Sequence, residues 1–166
     1  MRFKFCPDCG DKLVLKPMGD EGDVPFCESC SRPWFDMFSS AVIVLVVNEY
    51  DEALLLKQNY MSEKYMVLVS GYIKPGENAE DTARREVLEE VGLKFDESRL
   101  TATYWFDKKD MMMIGFIARA KKAELTLSCE VDEARWIPAV EALGLVHPKG
   151  AVSYALLEKY LKTEKR

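Results

Sequence analysis

The chain carries one histidine in 166 residues, His147. That excludes histidine-rich metal centres and any mechanism that needs two imidazoles. A single imidazole ahead of Pro148 reads as structural. No apolar run approaches the ~18 residues a membrane helix requires; the longest, Ala41–Val47, is of strand length. The start of the chain lacks a signal-peptide pattern, so a cytoplasmic location is expected. Positive charge is not in excess: 23 Lys and Arg stand against 28 Asp and Glu, a net −5. General nucleic-acid binders use a basic stripe, which this composition does not favour. Internal repeats and low-complexity tracts are missing, which argues against solenoids and disordered tails. With 48% hydrophobic residues, the chain can build one catalytic-sized core and one small module.

The five cysteines are unevenly spread. Cys6-Pro7-Asp8-Cys9 and Cys27-Glu28-Ser29-Cys30 form two CxxC pairs with seventeen residues between them. This spacing suits a zinc ribbon, four thiolates closing a tetrahedral shell with no open position for substrate. Disulfides are the competing reading, but a cytoplasmic chain disfavours them. A module of ~35 residues cannot fold on apolar burial alone, so the metal would supply its folding free energy. Cys129 stands apart and is expected to be a buried small hydrophobe.

Residues 71–93 read GYIKPGENAEDTARREVLEEVGL. Gly71 to Glu77 is expected as a loop, with Pro75-Gly76 as its turn. Residues 78–91 are expected as a helix capped by Asn78, acidic in its first turn and ended by Gly92. Glu86 and Glu90 are i and i+4 on one face, with Glu89 on an adjacent strip. Three carboxylates so close repel one another unless a hard divalent cation joins them. Such a cation also binds phosphate oxygens and polarises a water. Arg85 points elsewhere and can pair with Glu77, tying loop to helix. Taken alone, the glutamates would also suit a solvated acidic face.

The rest alternates strands and helices. Ala41–Val47 reads as a buried strand and Ala53–Lys57 as its hairpin partner across Asn48–Asp51. Tyr65–Val69 is expected as a strand leading into the Gly71–Glu77 loop. Leu100–Phe106 and Met111–Ala118 form a second hairpin across Asp107–Asp110, with Lys108-Lys109 at its tip. Ala134–Ile137 is a short strand, Pro138 opens a short helix, and Ala151–Leu161 is an amphipathic one. A mixed sheet between helices makes an α/β fold of α/β/α sandwich type. The expected division is residues 1–36 for the ribbon and 37–166 for the α/β domain.

Gly71, Glu77, Arg85, Glu86, Val87, Glu89, Glu90, Gly92 and Leu93 fill every fixed place of the Nudix box. Chance would produce that match about once in 10⁹ starting points. The chain therefore resembles the Nudix hydrolases, which cleave nucleoside diphosphates linked to another group with the help of divalent metals. Ribbon followed directly by Nudix domain is similar to the bacterial NADH diphosphatases, which also remove NAD caps from RNA. The resemblance implies Mg²⁺ or Mn²⁺ held by the Ser70 backbone carbonyl, Glu86, Glu90 and Glu130. It implies substrate contacts from Tyr72, Phe35 and Ser153, and a homodimer. Catalysis would rest on Glu86, Glu89, Glu90 and Arg85, with Glu89 as general base, alone or shared with Glu90.

One stretch departs from those relatives. Where they carry Ser-Gln-Pro-Trp-Pro-Phe-Pro, this chain has Thr103-Tyr104-Trp105-Phe106-Asp107-Lys108-Lys109. The glutamine and prolines that read a dinucleotide are gone, so relaxed choice among NADH, ADP-ribose and other ADP-X compounds is expected. Tyr104 and Trp105 suit base stacking or core packing equally. The alternatives are a nucleotide-sensing domain without activity and a nucleoside triphosphate pyrophosphatase. The box keeps all its carboxylates, which favours an enzyme.

Overall fold

The computed structural model describes residues 3–163. The chain divides into two compact units, Met1–Ser39 and Ser40–Arg166.

The first unit is a three-stranded antiparallel sheet of β1 (Val14–Pro17), β2 (Asp23–Cys27) and β3 (Arg32–Pro33), in that order. So small a sheet has almost no core of its own; among the described residues Cys6, Val24, Pro25 and Cys27 are its buried apolar ones. Tight turns bring the cysteine pairs together. The Gly10 N–H donates to the Cys6 carbonyl at 2.9 Å, and the Cys30 N–H points at Cys27 Sγ at 3.4 Å. Gly10 turns there at φ +80°, a conformation glycine adopts without a Cβ penalty. The Arg32–Asp8 ion pair at 2.9 Å joins the two knuckles.

The second unit is built on a six-stranded mixed sheet with helices against it, an α/β/α sandwich. Its strands are β4 (Ser39–Val47), β5 (Glu52–Lys57), β6 (Val69–Tyr72), β7 (Glu97–Phe106), β8 (Met111–Arg119) and β9 (Glu133–Pro138). The order is β7-β8-β4-β5-β9, and β6 pairs antiparallel with the first half of β4. β4 is a continuous β-branched and aliphatic run because both faces of the sheet are covered. Ala41, Ile43, Leu45 and Val47 enter one core, with Leu156, Leu157 and Tyr160 of α3 (Val152–Thr163). Val42, Val44 and Val46 enter the other, with Ala83, Val87 and Val91 of α1 (Ala79–Val91). A one-residue slip of β4 would exchange the two sets. α2 (Ala139–Ala142) follows Pro138 and adds Ala139 and Ala142 to the α3 side.

The box helix begins and ends as its sequence dictates. Asn78 Oδ1 accepts from the Asp81 N–H at 2.8 Å, filling one of the unpaired N-terminal donors. Glu80 and Asp81 complement the positive end of the helix dipole. Gly92 closes the helix in the left-handed region, its N–H on the Leu88 carbonyl.

Two expectations need correction. The strand leading into the box is not Tyr65–Val69 but Val69–Tyr72. Upstream, Met66 and Val67 make only single bridges, to Val146 and Leu56. The extra pairing goes to the box itself, because β4 offers Ala41–Val44 as partners to Tyr72, Gly71, Ser70 and Val69. Cys129 is exposed rather than buried, since the 121–130 segment runs outside the sheet. His147 packs against Tyr65 with ring centroids 4.6 Å apart.

Candidate active site

β6 and α1 hold the site between them. Ser70 and Tyr72 share the face of β6 whose β4 partners, Ile43 and Ala41, enter the α3-side core. Gly71 alternates to the α1 side. There the Glu86 carboxylate packs directly over its backbone: a Cβ at residue 71 would lie 1.9 Å from Glu86 Cδ. Glycine is required by that close approach, not by a turn.

Arg85 organises the loop and the carboxylates. Its Nε and Nη2 donate to the two oxygens of Glu77 at 2.7 and 2.8 Å, a bidentate pair. Nη2 also reaches the Tyr72 carbonyl at 3.1 Å. Arg85 does not point away from the other acids: Nη1 contacts Glu86 at 2.6 Å and Glu89 at 3.0 Å. The guanidinium has enough donors for both tasks. The Arg85 hydrogen bonds hold the Glu77 carboxyl down at about 2, while the guanidinium itself is raised.

The acids differ in burial. Glu90 is 6% exposed, Glu86 is partly buried, and Glu89 and Glu130 are open to solvent. Burial, then the charges of Glu86 and Glu130, push the Glu90 carboxyl up to about 8. Burial likewise raises Glu86. Glu90 Oε2 is fully buried without a hydrogen-bond partner.

Glu130 arrives by a strap outside the sheet. The Thr126 and Ser128 N–H groups donate to the Val91 and Glu90 carbonyls at 3.0 and 3.1 Å. The Asp132 N–H donates to the Lys57 carbonyl, and Asp132 Oδ2 accepts from the Asn59 N–H at 2.6 Å. The strap thus runs from the end of α1 to the end of β5 and carries Glu130 past Glu90. A cleft of about 410 Å³ opens beside it, lined by Asn59, Tyr60, Cys129, Glu130 and Asp132. The phenol of Tyr60 is raised by burial and by the charges of Glu130 and Glu90. Tyr60 and Asn59 are not among the site residues expected from sequence. Their only signal is a polar Lys-Gln-Asn-Tyr run breaking the aliphatic strand Ala53–Leu56.

A buried, unpaired carboxylate oxygen between two other acids is costly unless a cation or proton is shared there. The all-oxygen donor set fits a hard divalent ion. Among the described residues, only the four cysteines form a group of three or more such side chains with ligand atoms within 4.8 Å of one another. The glutamates sit more openly, because Arg85 draws Glu86 and Glu89 toward the loop. The cysteine sulfurs lie as close as 3.5 Å for Cys9–Cys27 and 3.9 Å for Cys6–Cys30. A tetrahedral shell with Zn–S of about 2.3 Å has sulfur edges of roughly 3.8 Å. The four cysteines can therefore hold a metal ion.

Of the other expected contacts, Tyr72 is 52% exposed and Phe35 50% exposed. Trp105 is also largely exposed. Tyr104 is half-buried against the α3-side core. Ser153 is buried in the first turn of α3.

Residues 37–160 match the NUDIX domain. The chain is 31% identical over 160 residues to an NAD-capped RNA hydrolase, NudC, of Pseudomonas syringae pv. syringae, covering 95% of this chain and 55% of that protein. It is 26% identical over 178 residues to the human NAD-capped RNA hydrolase NUDT12, covering 97% of this chain and 38% of that protein. The chain thus spans about half or less of the length of these relatives. A crystal structure of a NUDIX hydrolase from Nitrosomonas europaea superposes with TM-score 0.78 at 23% identity, covering 98% of this chain and 93% of that one. The NUDIX domain of Shewanella oneidensis NrtR, crystallised with ADP ribose, gives 0.65 at 15% identity, covering 82% and 92%.

The Glu77–Arg85 pair sets an acid limit on stability. Glu77 ionises lower in the folded chain than the ordinary 4.5, so it stabilises the fold above that value. The contribution is lost as pH falls from about 4.5 to about 2. Glu77→Gln is expected to be less stable than the parent near neutral pH, and the gap should close across that window. Urea midpoints between pH 2 and 7 measure it; a gap that stays constant with pH would refute the assignment.

Proposed function

The chain belongs to the Nudix family, and from that premise we propose that it is a metal-dependent diphosphohydrolase acting on ADP-X compounds, NADH and ADP-ribose among them. The observation that carries this reading is Glu90. A buried carboxylate with an unpaired oxygen, flanked by Glu86 and faced by Glu130, serves a cation better than it serves the fold. The Ser70 carbonyl, Glu86, Glu90 and Glu130 would hold Mg²⁺ or Mn²⁺. Bound there, the ion neutralises diphosphate charge and acidifies a water.

The chain's own groups supply the rest. In the proposed reaction a water oxygen attacks one phosphorus and the bridging P–O bond breaks. The water proton passes to Glu89, whose exposed carboxylate pairs with Arg85, or to Glu90 in a shared role. Arg85 fixes the loop and both acids in place. Tyr72 and Trp105 offer ring faces for the flanking groups, and stacking tolerates different bases. With the proline-rich reader replaced by residues 103–109, fewer fixed hydrogen bonds discriminate between substrates. An NAD-capped RNA end presents the same diphosphate bridge and belongs to the substrate class tested.

We further propose residues 1–36 as a structural zinc ribbon ahead of a catalytic domain, 37–166. The free cysteines fit a reducing cytoplasm, and no described helix is long and apolar enough to cross a membrane. A homodimer is the proposed assembly, through the apolar segment Pro33–Phe38, where Phe35, Met37 and Phe38 are half exposed.

Three measurements test this. Protein purified without added metal should carry about one zinc per chain, and Cys6→Ser should lower stability far more than it alters turnover at the box. Four free thiols in a folded, zinc-free protein would contradict the ribbon. Light scattering should give a dimer mass; a monomer at every concentration would refute the assembly. The central experiment compares NADH, NAD⁺, ADP-ribose, diadenosine polyphosphates, NAD-capped RNA and nucleoside triphosphates, with Mg²⁺ and with chelator. Several ADP-X compounds should be cleaved to AMP, or its RNA-linked equivalent, and a phosphorylated remainder. Glu86→Gln and Glu90→Gln should each lose most activity without unfolding. Cleavage confined to triphosphates, or near-normal turnover in both variants, would overturn the reading.

A further inference from the structure

β5 ends in an alternation whose last member is out of place chemically. Leu54 and Leu56 enter the α1-side core, packed with Val87 and Val91. Two residues on, the same face receives Gln58, which is 2% exposed. Its backbone is fixed on both sides: its carbonyl accepts from the Met61 and Ser62 N–H groups at 2.9 and 3.0 Å, and the neighbouring Lys57 carbonyl accepts from Asp132. The side chain is thereby driven inward, beneath the strap that carries Glu130.

Gln58 Nε2 is fully buried and has no hydrogen-bond partner. A leucine here would extend the apolar stripe and avoid burying an amide unpaired, so packing alone does not select glutamine. The carboxamide stands beside the Glu90 carboxylate. Glu90 Oε2 is itself buried and unpaired. A buried donor and a buried acceptor, each without a partner, thus belong to neighbouring side chains.

We propose that Gln58 is a positioning residue for the catalytic cation: its Nε2 donates to one Glu90 oxygen and turns the other toward the divalent ion. The inference rests on Glu90 being a ligand, as proposed above. Groups that hold a ligating carboxylate from behind fix its orientation and its charge, and losing one costs about 10–100-fold in metal affinity or activity. Gln58 touches neither substrate nor the attacking water in this role. Its effect reaches the reaction only through Glu90.

The test is Mn²⁺ binding to the full chain with its zinc retained, read from the electron paramagnetic signal of free Mn²⁺. Gln58→Met keeps the length of the side chain and removes the donor; Gln58→Leu is the second variant should the first fail to fold. Mn²⁺ affinity should fall at least about tenfold. Without added Mn²⁺ the melting temperature should not fall, because an unpaired buried amide has been replaced by apolar atoms. At saturating Mn²⁺, kcat should drop with KM for the nucleotide nearly unchanged. Affinity within about twofold of the parent in a folded variant would overturn the role of Gln58, as would a loss of melting temperature as its sole effect. Glu90→Gln separates the two readings. If it binds Mn²⁺ as tightly as the parent, the metal assignment of Glu90 fails. If it is impaired while Gln58→Met is not, only the present inference fails.

Discussion

One guanidinium ties the box together. Arg85 satisfies both oxygens of Glu77, the Tyr72 carbonyl, Glu86 and Glu89 at once. A loop of Lys, Pro, Gly and Glu has little apolar surface to hold it, so its shape depends on that charge-assisted network. Lysine could not replace it, since a single ammonium cannot present parallel donors to a carboxylate and still reach a carbonyl and two further acids. Glu77 reinforces the loop from inside, accepting from the Lys74 N–H and the Thr82 hydroxyl. The result is a rigid entry into α1, whose first turn is capped by Asn78.

Against that frame, the chain tolerates an arrangement that stability alone would not choose. Glu90 is buried on the helix that gives Val87 and Val91 to the core, with three acids near it. The strap from Thr126 to Asp132 is pinned by backbone hydrogen bonds to α1 at one end and β5 at the other. It needs Gly92, because a Cβ there would lie 2.8 Å from the Thr126 side chain. The same glycine that ends the helix thereby lets the strap approach and deliver Glu130. Destabilising charge is thus concentrated where a cation can use it, and the surrounding sheet compensates with two fully buried cores.

The first unit meets the opposite problem. It has too little apolar burial to define a fold and relies on four sulfurs gathered by two tight knuckles. The second unit has an ample core and spends some of its stability on acids. The two solutions suit their proposed tasks: a closed thiolate shell for structure and an open carboxylate set for chemistry.

Local pattern determined much of this. The capped helix, its glycine stop, the hairpin across Asn48–Asp51 and the cysteine knuckles all follow from residues within one or two turns of each other. Spacing of 3 and 4 placed Glu86, Glu89 and Glu90 on neighbouring strips, because helix geometry is the same in any context. The need for glycine at 71 was visible, but its reason was not, since the carboxylate it admits comes from fifteen residues away on another element. The strand before the box was read too early because pairing with β4, not its own composition, sets where it starts. The residue type of Cys129 suggests burial, while the strap that carries it lies outside the sheet. The polar run at Lys57–Tyr60 marks the end of a strand but assigns no task to Gln58 or Tyr60. Only packing decides that one polar side chain enters a core beside Glu90 and that one ring borders a cleft beside Glu130. Burial and like-charge proximity depend on distances between elements, and those exist only once the chain has folded.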